Sequence, residues 1–498
     1  MLFNSYEFLF GFLPPTIIIF FLLGRWKPEL ARLWLVAASL VFYAGWSLNY
    51  IWLITSSILF NYSVGLAIDA VRAKGQPRLT KWVLAGGITG NLALLSYYKY
   101  ADFFISNLDA VAGTEFALLH LALPLGISFF TFTQIAFLVD AARGEASERG
   151  LVRYALFVTY FPHLLAGPII HHKAVMPQFR LASTFRPSAK MMSLGITIFT
   201  LGLAKKVLIA DGFVTTVHDV FAPGTVPLLY DAWMGSLAYT LQLYFDFSGY
   251  SDMAIGLSLL IGVRLPINFN SPYKAMNIID FWRRWHMTLS QFLRDYLYIP
   301  LGGNRHGAAR RYLNLYLTML LGGLWHGAGW TFVIWGALHG IYLIINHGWR
   351  KLVGDNAPPL WRQLAYGALT FLCVVIGWVF FRAPDLGSAL SMLSGLVGGH
   401  GVSHNGQFSS IGIARDMQWK IPLGLLIVFL LPNSQQIMGV ARIDPSAARE
   451  DESSTSRWSL PAKWRWRAAS WSGVLTGLVF FACLLKLREV SEFIYYQF

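Results

Sequence analysis

Charge is scarce in this chain. Only 13% of its 498 residues are Asp, Glu, Lys or Arg, about half the roughly 25% usual in a soluble domain. Cysteine is scarcer still. Cys373 and Cys483 are the only two. Both lie in apolar runs and read better as buried small hydrophobes than as a disulfide or metal pair. No HExxH, CxxC, GxSxG or Walker loop occurs, so metal-dependent chemistry and nucleotide hydrolysis have no support, and no metal is expected. The first apolar run, Phe8 to Leu23, has no positive charge ahead of it and no small-x-small site behind it. It is expected to be a retained transmembrane helix and not a cleaved signal.

Apolar residues fill the space. They make up 55% of the chain, aromatics 16%, and the mean hydropathy is +0.50. A water-soluble fold of this size has too little interior for that, so the fold class expected is an all-α polytopic membrane protein. The net charge is +14. In a membrane protein such an excess collects in cytoplasmic loops, and without a basic tail or a basic-aromatic strand pattern no nucleic-acid partner is expected. Loop charges set the orientation. Arg25, Lys27 and Arg32 follow the first run, then Arg72, Lys74, Arg78 and Lys81, then Arg143, Arg149 and Arg153, each where an even return to the inside requires it. This predicts a periplasmic N-terminus and, after the last run Ala468 to Leu485, a periplasmic C-terminus.

The middle is less regular. Pro162, Gly167 and Pro168 predict a re-entrant or broken helix over Pro162–Ile170, tolerated only where protein or a cavity surrounds it. Met191–Phe213 carries Lys205 and Lys206 and is expected to be partly interfacial. Leu228–Phe245 and Met253–Val263 read as two spans with a break between them. Residues 278–311 hold six arginines among aromatics, an amphipathic cytoplasmic-side segment. The whole, residues 1–498, reads as one membrane domain of about ten to twelve helices, with an aromatic tail at 487–498.

Ionisable groups within such runs are candidates for function. His326 sits among Gly322, Gly323, Trp325, Gly327 and Gly329. Glycines allow close approach, aromatics exclude water, and a neutral imidazole is a natural base for a hydroxyl proton. A structural histidine bonded between helices is an equal alternative. His286, if helical, shares a face with Trp282 and Ser290, and Arg283, Arg284 and Arg294 beside it could receive phosphates or a carboxylate. By composition alone, a basic interfacial helix with aromatic anchors is favoured there. Asp246 and Asp252 could orient a base or bind a cation, but are expected first to pair with buried arginines. His163 either lines the re-entrant cavity or satisfies its loose carbonyls.

Taken together, Tyr244–Asp252 (YFDFSGYSD), Asn268–Tyr273, Asp280–His286 (DFWRRWH), Arg294–Gly303 and Leu324–Gly327 (LWHG) resemble the membrane-bound O-acyltransferases. The nearest likeness is to the bacterial branch that O-acetylates exported polysaccharides. The likeness covers nearly the whole chain. It implies helices packed with re-entrant segments around a narrow central passage, the family histidine at its waist falling on His326 and the second family position on His286. Trp325, Asp246, Asp252 and His163 would line the passage. The implied chemistry is acetyl transfer from a cytoplasmic donor such as acetyl-CoA, held near Arg283, Arg284 and Arg294. It would serve an envelope or exported polysaccharide through a periplasmic acetyltransferase partner, from the bacterial inner membrane and its lipid. The tail Phe493–Phe498 looks like the tyrosine-bearing aromatic motif of a small family partner, which implies Tyr495 as an acyl relay. Acylation of a lipid, protein or teichoic acid, and a non-enzymatic channel or transporter, are the competing readings.

Overall fold

The computed structural model describes residues 1–354, 359–402, 413–439, 466–487 and 494. Among them every regular element is helical, which satisfies the backbone within each segment where lipid offers no hydrogen-bond partner. A π-helical turn, Glu7–Phe12, leads into α1 (Leu13–Trp26). α2 (Pro28–Ala44), α3 (Ile51–Ala73) and α4 (Pro77–Leu95) follow. Prolines stand in the first turns of α1, α2 and α4; in α2 and α4 the missing N–H would have no intrahelical partner anyway. Next come α5 (Ala101–Ala112) and α6 (Ile127–Arg143). The apolar stretch from Leu118 to Leu138 is helical only from Ile127, because Pro124 and Gly126 hold back its start.

α7 (Leu151–Thr159) stops at Tyr160, α8 (Phe161–Leu164) makes one turn, and an irregular stretch runs to α9 (His172–Val175). Residues 161–170 are all buried. The broken helix expected here is present, and protein surrounds it. α10 (Ala189–Ala204) and α11 (Val214–Val220) bracket π-helical and 3-10 turns at 205–213.

α12 (Leu229–Leu260) is the axis of the fold. Every residue from Ala238 to Leu260 is buried, so this helix is covered on all sides. It packs on α10, on α11, and on α17 (Leu360–Arg382), α18 (Leu386–Leu396) and α19 (Ile413–Leu430). Here the expectation of two spans with a break is wrong. Tyr244–Asp252 is unbroken helix. Its Ser and Gly residues are not a hinge; they are the small faces that let other helices approach. The glycines show this in two antiparallel pairs. A Cβ on Gly202 would stand 2.5 Å from the Gly249 carbonyl, and one on Gly195 would stand 2.7 Å from that of Gly256. The backbones of α10 and α12 therefore touch, as small residues permit between membrane helices.

The interfacial expectation for Lys205 and Lys206 also fails. Lys206 is buried, paired with Asp246 at 2.7 Å and with Asp211 at 2.8 Å. Lys205 reaches Asp252 at 2.6 Å. Two carboxylates inside α12 draw the ammonium groups inward, because a buried charge must be paired, so the partners of Asp246 and Asp252 are lysines and not the arginines expected.

The remaining elements are α13 (Ile278–Arg284), α14 (Met287–Leu293), α15 (Gly307–His326), α16 (Trp330–Val353), α20 (Ser434–Met438) and α21 (Ser470–Lys486). Four described helical stretches are long and apolar enough to cross a membrane: Glu7–Trp26, Leu48–Ala73, Ala189–Val220 and Leu360–Arg382. Others, such as α12, are long but carry the polar groups that the interior uses.

The glycine contacts make a direct test. Gly202→Leu or Gly256→Leu should abolish the monodisperse peak of the detergent-solubilised protein in size-exclusion chromatography. Gly11→Leu, where a Cβ meets nothing within 4 Å, should leave that peak intact.

Candidate active site

His326 is the last residue of α15. The helix ends because Gly327 is extended, at φ −159°. α15 and α16 cross at Gly323 and Gly336, where a Cβ on Gly323 would lie 2.9 Å from the Gly336 Cα. That close crossing lays Trp335 against the His326 ring at 5.1 Å between centroids, with Trp325 at 4.8 Å and Phe381 at 5.1 Å. The imidazole is buried in an aromatic cage, as the glycines and tryptophans around it suggested.

Three successive carbonyls at this helix end receive side-chain donors. The Tyr100 hydroxyl donates to Leu324 O at 2.7 Å, and the Lys99 ammonium donates to Trp325 O at 2.6 Å and to His326 O at 3.0 Å. Lys99 also reaches Ser128 Oγ at 3.4 Å. Both donors come from the π-helical turn Ser96–Tyr100 that follows α4. Lys99 additionally lines a pocket of about 270 Å³ with Tyr98, Asp102, Leu123, Gly327 and Phe332.

His286 does not share a helical face with Trp282 and Ser290. α13 ends before Trp285, and His286 adopts the left-handed region at φ 43° as α14 begins. A non-glycine residue there is strained by about 1–3 kcal/mol, so its surroundings must hold it. Asn268 does so. Its Oδ1 accepts from the Thr288 N–H at 3.3 Å, the Thr288 hydroxyl at 2.9 Å and His286 Nδ1 at 3.1 Å, while Met287 N–H donates to its carbonyl at 3.0 Å. A backbone N–H can only donate, which fixes this atom as the amide oxygen. His286 Nδ1 therefore carries the proton, and Nε2 presents the lone pair. The ring lies edge-on to Phe247 at 4.8 Å and 6.4 Å from Trp325. Trp325 thus neighbours both imidazoles.

Most of the other predicted residues are held by partners of their own. Arg284 is committed to Asp280 at 2.8 Å and to Asn270 O at 3.4 Å, so it braces the His286 kink. Arg283 and Arg294 are exposed. Arg283, Arg311 and Arg350 gather around His347, which Arg311 meets at 2.6 Å. His163 donates from Nε2 to the Phe157 carbonyl at 3.1 Å, satisfying the broken end of α7. Asp252 is fully engaged by Lys205, Ser434 and Gln435. Asp246 accepts, besides Lys206, the backbone N–H of Ile494 at 3.0 Å. Tyr495 lies outside the described residues.

Sequence reasoning missed four participants. Lys99 and His339 were legible by the rule that singled out His326, an ionisable residue within an apolar run. His339, wholly buried on α16, accepts from Trp282 Nε1 at 3.3 Å and ties α13 to α16. Tyr100 and Asn268 carried no such signal, since their role depends on which helix end they meet.

A buried base at a helix interruption beside close-packed glycines, with cations gathered nearby, suits transfer to a hydroxyl. Comparison with known proteins decides the family. The sequence model of the MBOAT, membrane-bound O-acyltransferase family matches residues 79–382. This chain belongs to that family. It is an O-acyltransferase of the membrane, and the span contains His286, His326 and Lys99. The chain is 46% identical over 430 residues to the peptidoglycan O-acetyltransferase of Helicobacter pylori, covering 81% of each chain. It is 40% identical over the full length of both chains to a probable alginate O-acetylase of Pseudomonas putida. A teichoic acid D-alanyltransferase of Bacillus subtilis is 32% identical over 180 residues, 35% of this chain and 45% of that one.

The Asn268 bracket generates a prediction. Asn268→Ala removes the acceptor that holds His286 and should lower acyl transfer about 100-fold, the scale of a misplaced reacting group, in protein that still elutes as a single species. Asn268→Asp keeps the acceptor oxygen and should retain more activity than the alanine variant. Equal activity of the two would show that the bracket does not position His286.

Proposed function

We propose that this protein moves an acetyl group from a cytoplasmic donor, acetyl-CoA, across the bacterial inner membrane for O-acetylation of an exported or envelope polysaccharide. The observation that carries the reading is the pair of buried imidazoles, His286 and His326, that both neighbour Trp325. The relatives named for acetylating peptidoglycan and alginate support acetyl as the group and polysaccharide as the final acceptor.

In this reading His326 is the general base. Its imidazole takes the acceptor hydroxyl proton as the oxygen attacks the acyl carbonyl carbon, then returns a proton to the departing thiolate, a role worth about 10²–10⁴ in rate. His286, with Nε2 unprotonated, holds a hydroxyl of the donor or acceptor beside Trp325. The exposed Arg283 and Arg294 receive the phosphates of the donor by charge-assisted hydrogen bonds; Arg284, already paired with Asp280, contributes rigidity to that region. Arg311 and Arg350 extend the same basic cluster. The aromatic tail supplies the next acceptor: the Tyr495 hydroxyl takes the acyl group and hands it to a periplasmic acetyltransferase. The Ile494–Asp246 hydrogen bond supports a tail that inserts into the fold. A phenyl ester suits a relay because it remains activated.

The test is the O-acetyl content of envelope and secreted polysaccharide in a deletion strain complemented with variants. His326→Ala should give no acetylation with normal membrane insertion. Tyr495→Phe should also lose it, and mass spectrometry of the wild-type C-terminal peptide should find an acetyl adduct. Full acetylation with His326→Ala would remove the enzymatic role of that residue, and full acetylation with Tyr495→Phe would remove the relay.

A further inference from the structure

Helix α15 stops in the protein interior, and its last carbonyls have no intrahelical partner. Lipid cannot supply one. An unsatisfied buried polar group costs about 1–3 kcal/mol, so helices that end at such depth need internal donors. Here the donors are unusually concentrated: one hydroxyl and one ammonium on consecutive residues serve the carbonyls of Leu324, Trp325 and His326. The ammonium also sits at the negative end of the α15 dipole, where a cation is favoured. The π-helical turn at Ser96–Tyr100 explains how neighbouring residues reach one target, because its wider turn brings successive side chains closer to one face than an α-helix does.

We propose that Lys99 is a positioning residue for acyl transfer: by holding the last two carbonyls of α15 it sets the orientation of His326 in its aromatic cage. Gly327 is extended and cannot continue the helix, so without the ammonium the terminal peptide planes are free to rotate, and the imidazole rotates with them. Ser128 fixes the ammonium in turn. Tyr100, which binds one turn position earlier at Leu324, is the secondary support.

The inference rests on His326 as the centre of transfer, and the experiment separates the two. Full-length variants in membrane vesicles are assayed for thiol release from acetyl-CoA. Lys99→Met should lower kcat at least tenfold with the donor KM unchanged, while the protein inserts and elutes normally. Lys99→Arg should recover much of the loss, and Tyr100→Phe should lose less than Lys99→Met. Chemical rescue excludes a role confined to folding. In a Cys373→Ser, Cys483→Ser background, Lys99→Cys is inserted and folded first, then treated with 2-bromoethylamine, which rebuilds an ammonium of nearly lysine length. Activity should return without refolding. Full activity of Lys99→Met beside an inactive His326→Ala would overturn the Lys99 role alone. Rescue failure in fully alkylated protein would overturn it as well. If His326→Ala matched wild type, the reading of the centre would fail, and the positioning role with it.

Discussion

A helix that stops inside a membrane protein leaves carbonyls that water cannot reach, and the architecture of this chain answers that constraint repeatedly. Each histidine of interest marks an interruption. His326 ends α15, His286 stands between α13 and α14, and His163 follows the end of α7. At His163 the imidazole itself supplies the missing donor to Phe157. At the other two, different residues meet the backbone's needs: Lys99 and Tyr100 for α15, Asn268 for the kink at His286. The imidazoles there are not what satisfies the interrupted backbone. This division separates a histidine that repairs the fold from two that the fold presents.

The same economy governs charge. Asp246 and Asp252 lie on the most buried helix, where an isolated carboxylate would be severely penalised. Each is balanced by a lysine from the segment after α10. Neither is a spare catalytic acid. Asp246 does keep one further link, to the amide of Ile494, which connects the ion pair to the C-terminal segment. Arg283 and Arg294 stay exposed, with Arg294 3.8 Å from Asp295.

Much of this was legible in the sequence, for identifiable reasons. Apolar content pointed to the class of fold. Pro162 and Gly167 announced a break in their own neighbourhood, because backbone chemistry acts locally. The glycine and tryptophan setting of His326 announced a cage. What failed were inferences from composition to shape. Glycine and serine at Tyr244–Asp252 were read as a break, though within a buried helix small residues mark contact with α10. Lysines at 205 and 206 were read as interfacial, though partners forty residues away draw them inward. His286 was placed on a helical face, though Asn268 pays for a left-handed turn there that no local pattern encodes. The clamp on α15 joins residues more than two hundred positions apart, a separation that only the fold reveals.

The central claim is that acyl transfer occurs at His326, between an arginine-bearing donor side and the pocket beyond Lys99. Its most direct test is a density map of the full chain with a thioether analogue of acetyl-CoA that cannot transfer its acyl group. The account predicts the acyl carbonyl beside the His326 imidazole and the phosphates against Arg283 and Arg294. An analogue bound with its acyl end away from His326, in protein that is active with acetyl-CoA, would contradict it.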